Sequence, residues 1–330
     1  MIHIVVFVFI VIAIKVIYNR MVTVYDIHNR YISTYFVHNP SYENTIDIVL
    51  DEYFTQEIPY FSITVPVYNQ ENIIANNLQS IVHATTEKTF EIIIICDACS
   101  DNSEKIILDW CSSLHSTPLQ LLTRILILRS TLPLFETSAD NLGFFCSRGR
   151  YFLEIQADMN ITDNGYNIQL LQPFLLDNTI LGISGRCCHT FSQSLGYGKL
   201  GTNIEKTIQE LGIDAKYYYI SNTCNRGPLL LDGEKLRTLG YLDEKNYFLD
   251  DSDHDLFARA YIQKGWICGY VPIDVKAPLK HGSTRKQRDE INRNAYILRK
   301  QQTHNGIHGF LHSHKHILID KEVQRIPLYT

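Results

Sequence analysis

The residues placed to do chemistry are aspartates. Asp97 follows an apolar run at 91–96, Asp158 follows another at 151–157, and Asp250, Asp251, Asp253 and Asp255 open a helix-like stretch. Carboxylate oxygens hold hard divalent cations, and a positioned carboxylate can take a proton from an attacking hydroxyl. A reaction that expels a phosphate needs both. Plainer readings stand beside these. Asp is common in turns and favourable in the first turn of any helix. Asp101, with Glu104 three residues on, has the pattern of a capping box, so it reads as a helix cap.

The elements that must carry these groups are legible in outline. Phe61–Val67 reads as a strand closed by Pro66, which cannot donate to a ladder. A helix is expected over 69–83, with Ile73, Ile74, Leu78, Ile81 and Val82 on one face. The isoleucines of 91–96 mark a strand buried on both faces. A helix begins near Asp101 and carries Ile106, Ile107, Trp110 and Leu114. Residues 122–128 and 151–157 read as further strands, and 179–184 and 228–231 as shorter ones. Alternating strands and helices argue an α/β fold, an open, mostly parallel sheet flanked by helices. Such sheets bind ligands beyond the carboxyl ends of their strands, where Asp97 and Asp158 fall. On a helix over 252–264, Asp253 lies one turn before Leu256 and Phe257, which turns it to a cleft beside the core. The helix N-terminus favours its ionised form, and Asp255 is spaced to pair with Arg259.

Composition bounds the partners. The chain has 330 residues, 45% of them hydrophobic, with a net charge of −5. That suffices for one large domain or a joined pair, and no basic excess points to nucleic acid. The cysteines, with Cys187 and Cys188 adjacent and Cys96 and Cys99 at a strand end, lack the pattern of a disulfide scaffold or zinc site and suit a reducing compartment. Residues 2–18 are apolar except for His3 and Lys15. As a helix they span about 25 Å, the short end of a membrane crossing. A signal peptide and a buried core helix are the rival readings. Lys15 and Arg20 come at the C-terminal end of this run, which by the positive-inside rule puts the bulk of a single-pass chain in the cytosol. The acceptor sequence Asn160-Ile161-Thr162 adjoins the expected site, where a glycan would obstruct it.

An ordered set of short segments resembles glycosyltransferase family 2. Thr64-Val65-Pro66-Val67-Tyr68-Asn69 and Ile94-Ile95-Cys96-Asp97-Ala98-Cys99-Ser100-Asp101 are similar to the family's opening strand ends. Asn141-x-Gly143-x3-Ser147-x-Gly149-x-Tyr151 resembles its N-x-G segment, and Gln156-Ala157-Asp158 stands at its D-x-D metal motif. Arg226-Gly227-Pro228 and 240–244 resemble the acceptor-side segment, and Asp253-His254-Asp255-Leu256-x2-Arg259 with Gly265-Trp266 the E-D-x-D-L-x2-R and G-W pair. The resemblance implies a GT-A fold, an inverting mechanism, a nucleotide-sugar donor, most simply a UDP-sugar, and Mn2+ or Mg2+. Tyr68 would stack on the base and Asp97 accept from its edge, with Pro66, Asn141 and Gln156 also on the donor side. Asp158 would ligate the metal and Asp253 would be the general base. Arg226, Gly227, Asp251 and Trp266 would face an acceptor of glycan, lipid or protein nature. His281 near the metal and Arg285 on the diphosphate complete the set.

Four departures accompany it. Gln156 replaces the first Asp of D-x-D, Ser252 stands where Glu often precedes the base, Cys96 replaces an Asp, and Asp140 stands where the family often has Arg. Asp163 and Glu154 are nearby acids of unfixed direction. The expected organisation is an anchor at 1–20, a stem or extension at 21–58, a transferase domain at 59–284 with halves at 59–160 and 161–284, and a basic, His-containing tail at 285–330. A catalytically inactive nucleotide- or glycan-binding protein and a nucleotidyltransferase are the alternatives. The latter would carry a Gly-rich phosphate loop where this chain has Tyr68-Asn69-Gln70-Glu71.

Overall fold

Strands rich in isoleucine and leucine can sit only where both faces are covered, and that requirement organises the molecule. The computed structural model describes residues 45–114, 120–192, 196–201, 206–249, 251–277, 290–304, 314, 317 and 323–328. From the N-terminal side come β1 (Ile46–Tyr53), β2 (Phe61–Val67), β3 (Phe90–Asp97), β4 (Leu122–Ser130) and β5 (Tyr151–Glu154). Next are β6 (Asn160–Ile161), β7 (Ile180–Ser184), β8 (Cys187–Ser192), β9 (Gly196–Gly201) and β10 (Tyr217–Ser221). The series ends with β11 (Thr223–Cys224), β12 (Leu229–Asp232), β13 (Ile267–Tyr270), β14 (Val275–Lys276) and β15 (Gln324–Pro327). Ten strands form one sheet in the order β1-β4-β3-β2-β5-β12-β7-β13-β10-β15.

The helices are α1 (Ile74–Ala84), α2 (Ser103–Leu114), α3 (Phe135–Cys146), α4 (Tyr166–Leu176), α5 (Gly233–Leu239), α6 (Ser252–Lys264) and α7 (Glu290–His304). Ile74, Leu78, Ile107, Trp110, Leu170 and Phe174, from α1, α2 and α4, join one core with the odd-numbered residues of β2. Phe144, Leu236, Leu256 and Phe257, from α3, α5 and α6, form a second core with Phe152, Leu229 and Leu231. The helices thus cover opposite faces of the sheet.

The sheet is mixed rather than mostly parallel. β4, β3, β2 and β5 run parallel in sequence, as do β7 and β13. β12 enters antiparallel between β5 and β7, and β10 lies antiparallel to β13 and β15. The carboxyl ends of β2, β3, β5, β7 and β13 therefore share one edge. The expected domain limits also move. β1, from the presumed stem, pairs antiparallel with β4, and β15, from the presumed tail, pairs with β10. Residues 46–330 make one compact unit. The sequence masked β1 because an edge strand has one wet face and lacks the continuous apolar run of its neighbours. Residues 2–18 lie outside the described residues. Among those described, no helix is long and apolar enough to cross a membrane.

α3 rests close against β2 because the surfaces in contact are small. A Cβ on Gly143 would come 2.2 Å from Thr64 Cγ2. On the same face of the sheet Ser62 donates to Glu91 (2.6 Å), and Glu91 accepts from the wholly buried Arg124 (3.1 Å). Arg124 also donates to Asp51 of β1 at 2.6 Å. Removing one partner of a buried ion pair costs about 3–5 kcal/mol. A chain starting at residue 46 should therefore melt like the full chain. One starting at residue 59 should melt lower by at least about 5 °C, and equal melting temperatures would show that β1 does not belong to the folded unit.

Candidate active site

Two loops at the carboxyl edge are stitched together. Asn69, at φ 50°, donates to Ser100 Oγ (2.9 Å) and accepts the Ser100 N–H (2.8 Å). The Gln70 N–H donates to Ser103 Oγ (2.7 Å) and the Glu71 N–H to Asp101 Oδ2 (3.1 Å). This lattice holds 69–73 out of helical geometry, so α1 starts five residues later than its apolar pattern suggests. Asp101 caps α2 by accepting the Ser103 N–H (2.9 Å). Glu104 does not close the box. Arg129 draws it away (Nε to Oε2, 2.6 Å), and Asn69 takes the Asp101 N–H instead.

Tyr68 follows β2 on this edge and is half-buried, as is Pro66, which stands past the end of its neighbour β5. Asp97 ends β3 beside them. Its Oδ1 and Oδ2 accept the N–H groups of Leu134 (2.6 Å) and Phe135 (2.9 Å). Asp97 thus pins the turn that begins α3, where Phe135 has φ 63°. Each carboxylate oxygen can accept more than one bond, so this anchoring leaves capacity for a donor group.

Beneath the edge lies a buried ionic cluster. Arg226 Nη1 donates to Asp140 Oδ2 (2.6 Å), Nη2 donates to the Leu249 carbonyl (2.6 Å), and Glu136 lies 3.5 Å from Nη2. The Arg226 backbone N–H donates to Asp253 Oδ2 (3.1 Å), while the next N–H, of Gly227, donates to Glu154 Oε2 (2.7 Å). Gly227 sits at φ 72°, and a Cβ there would meet Met159 and Gln156. Asp140 and Glu154 are fully buried. Burial, reinforced by the Glu136 and Asp253 charges and opposed by Arg226, pushes the Asp140 carboxyl up to about 7. Burial, then Asp140, raises Glu154 well above the usual range. Burial also works against ionised Asp253, but His254, Arg226 and the N–H groups of Arg226 and His254 outweigh it and hold that carboxyl below its ordinary value.

The chain after β5 turns sharply instead of continuing as the strand expected to 157. The Met159 N–H bonds the Gln156 carbonyl at 3.0 Å, leaving Asp158 half-buried on the turn. Gln156 Nε2 donates to Glu136 (2.8 Å), and its Oε1 accepts from Arg186 Nη1 (3.3 Å). Both ends of that side chain are thereby engaged. Among the described residues no group of three or more His, Cys, Asp or Glu side chains is placed to hold a metal. The one carboxylate of this turn fits an ion that brings its remaining ligands as water and phosphate oxygens, as Mg2+ does, and does not fit a prebuilt cage.

Other expected residues lie elsewhere. Arg226 is an internal counter-ion, 4% exposed, and not an acceptor contact, because its guanidinium is consumed by the cluster. Asn141 clamps the Leu242 backbone in both directions (2.9 and 3.0 Å) and donates to Glu244 (2.6 Å), away from the donor side. Trp266 precedes β13 on the opposite edge of the sheet, with Lys235 over its ring. α6 separates it from Asp253 by about 18 Å. Asp251 stays near Asp253 at φ 65°, its carbonyl accepting the Asp255 N–H (2.8 Å). Asp255 pairs with Arg259 (2.7 Å), as its spacing predicts. Asp163 instead accepts the Asp274 N–H (2.8 Å). All eight cysteines are free. Asp250, His281 and Arg285 lie outside the described residues. Sequence reasoning missed Glu136 and Arg186, which stand in no motif and become notable only through contact with Gln156.

The cluster sets a pH dependence. Asp140 moves from an ordinary 3.8 to about 7 on folding. Between those values the folded chain keeps a proton that the unfolded chain has lost, so this group makes stability fall as pH rises through the window. Asp253 shifts the other way and acts only at lower pH. In denaturant titrations from pH 4 to pH 7, Asp140→Asn should lose less stability than the parent. Parallel curves would show that Asp140 does not hold that proton.

The comparisons agree with this architecture. No curated protein sequence matches the chain significantly. Among solved structures, GalNAc-T7 with UDP, GalNAc and Mn2+ is 16% identical, with a TM-score of 0.52 over 67% of this chain and 44% of that one. The mannosyltransferase PcManGT from Pyrobaculum calidifontis, with GDP-Man and Mn2+, is 13% identical, with a TM-score of 0.49 over 89% of this chain and 78% of that one. S. aureus TarS 1–349 is 15% identical, with a TM-score of 0.44 over 76% of this chain and 67% of that one. The first of these shows a shared GT-A-like fold, and this chain spans less than half of its length. The family model for Glycosyl transferase family 2 matches residues 62–227, half of the 330-residue chain, and the chain belongs to that family.

Proposed function

We propose that the chain is an inverting glycosyltransferase that moves a sugar from a nucleoside diphosphate donor, most simply a UDP-sugar, to an acceptor hydroxyl. The observation that carries this reading is Asp253, a buried carboxylate kept ionised by Arg226, His254 and two backbone N–H groups. It is linked through Arg226 and Gly227 to the turn that holds Asp158. Tyr68 and Asp97 lie on the same edge, where they would receive the base of the donor. The acceptor oxygen attacks the anomeric carbon from the face opposite the diphosphate, and its proton passes to Asp253. The bond from that carbon to the diphosphate oxygen breaks, and its electron pair leaves with the diphosphate. A divalent ion on Asp158 would offset the charge gathering there. Binding alone would not require an ionised carboxylate at 253, which favours catalysis over a binding role. The apolar segment 2–18 would hold the domain at a membrane, on the cytosolic side.

Asp253→Asn keeps size and polarity but cannot accept the proton. Turnover should fall roughly 10²- to 10⁴-fold, with donor affinity nearly unchanged, because the base faces the acceptor. Asp251→Asn should cost far less. Asp158→Ala should remove any response to Mn2+ or Mg2+. If the parent binds nucleotide-sugars but transfers and hydrolyses none, and Asp253→Asn binds them equally, the chain is a binding protein.

A further inference from the structure

Arg186 lies in the turn between β7 and β8, on the same edge as Asp97 and Asp158. Its backbone N–H is held by Ser184 Oγ at 3.0 Å. The half-buried side chain makes one hydrogen bond, from Nη1 to Gln156 Oε1, and its Nε is buried with no partner. No carboxylate among the described residues lies within ion-pair distance of it. A guanidinium withdrawn from water without a counter-charge is costly, so its environment favours an arriving anion. The residue it touches explains why it has stayed unneutralised. A carboxylate at 156 would stand beside Arg186 and offset its charge. Gln156 accepts the same bond without charge, and Glu136 fixes its amide orientation by accepting from Nε2 (2.8 Å).

The position is right for a phosphate. Gln156, which Arg186 contacts, stands two residues before Asp158 and packs against Gly227, whose neighbour Arg226 holds Asp253 through its backbone N–H (3.1 Å). A planar fork of N–H donors matches phosphate oxygens two at a time. We infer that Arg186 binds the diphosphate of the donor and carries leaving-group charge that a second D-x-D carboxylate and its metal would otherwise manage. The inference rests on the proposed transferase reading and deepens it.

The test is calorimetric titration of the full chain with uridine diphosphate, guanosine diphosphate and the two free nucleosides, each in chelator and in Mn2+. Arg186→Met keeps the packing stem and removes the charge. It should weaken diphosphate binding in chelator roughly 10- to 100-fold, the scale of charged hydrogen bonds, and leave nucleoside binding unchanged. Arg186→Lys should fall between, since it keeps charge but loses the fork. Gln156→Glu, isosteric and able to pair with Arg186, should weaken binding in chelator and make it depend more on Mn2+. Unchanged diphosphate affinity in Arg186→Met, while the parent binds, overturns this inference alone. A parent that binds neither diphosphate overturns the inference and the transferase reading together.

Discussion

The site depends on a single buried cation. Arg226 is enclosed by Asp140, Glu136, Glu154 and Asp253. Its planar guanidinium meets Asp140, Glu136 and the Leu249 carbonyl, while the backbone N–H groups of 226 and 227 meet Asp253 and Glu154. Such a cluster is weak as a source of net stability, since desolvation offsets most of the attraction. Its effect is positional. The Asp140 pair (2.6 Å) and the Leu249 carbonyl fix the guanidinium, and the guanidinium fixes the backbone whose N–H holds Asp253. Loss of the Arg226 charge would leave Asp140 buried and unpaired, at a cost of about 3–5 kcal/mol.

This arrangement also accounts for one departure from the family pattern. Asp140 stands where the family often has Arg, and here the cation comes from residue 226 on the facing loop. Two arginines in that space would repel. The carboxyl at 140 and the guanidinium at 226 therefore act as one unit. Glu154 becomes intelligible beside them. Burial, then Asp140, raises its carboxyl well above the ordinary carboxylate range.

The sequence disclosed the strands buried on both faces, because isoleucine runs leave no alternative, and it disclosed α6 with the Asp255–Arg259 pair through helical spacing. Edge strands were hidden. β1 and β15 take their place from long-range pairing, which local pattern does not encode. Helix starts erred where side chains competed with the backbone, as at 69–73. The glycines of the N-x-G segment were visible as a motif, but their purpose, room for α3 against Thr64 and for the chain after it against Ser62, required the packing. Asp97 and Asp253 were singled out by position, with their roles given only by the family resemblance. Glu136 and Arg186 were not, since a lone charged residue in an unremarkable segment looks like solvated surface until its partner is known. Arg226 was found but misread, because a motif does not tell whether a guanidinium faces a substrate or the interior.

α3 explains how parts from distant stretches of chain hold a common geometry. Its N-terminal turn is pinned by Asp97 from β3. One face supplies Glu136 to Gln156 and Asp140 to Arg226. Asn141 holds the backbone at 242, and the Thr137 N–H bonds the Phe248 carbonyl at 3.2 Å while its hydroxyl meets Ser252 at 3.1 Å. Phe135 packs edge-on against Phe248, and Tyr296 of α7 closes the trio. The carboxyl edge of the sheet and the segment leading into α6 with Asp253 are thus referred to one rigid helix rather than to each other. That helix can set their separation because Gly143 brings it into direct contact with β2, leaving it little freedom to slide. A larger residue at 143 would push α3 off Thr64 and displace Glu136, Asp140 and the segments they hold together, so a small side chain remote from Asp158 and Asp253 is a condition of their relative placement.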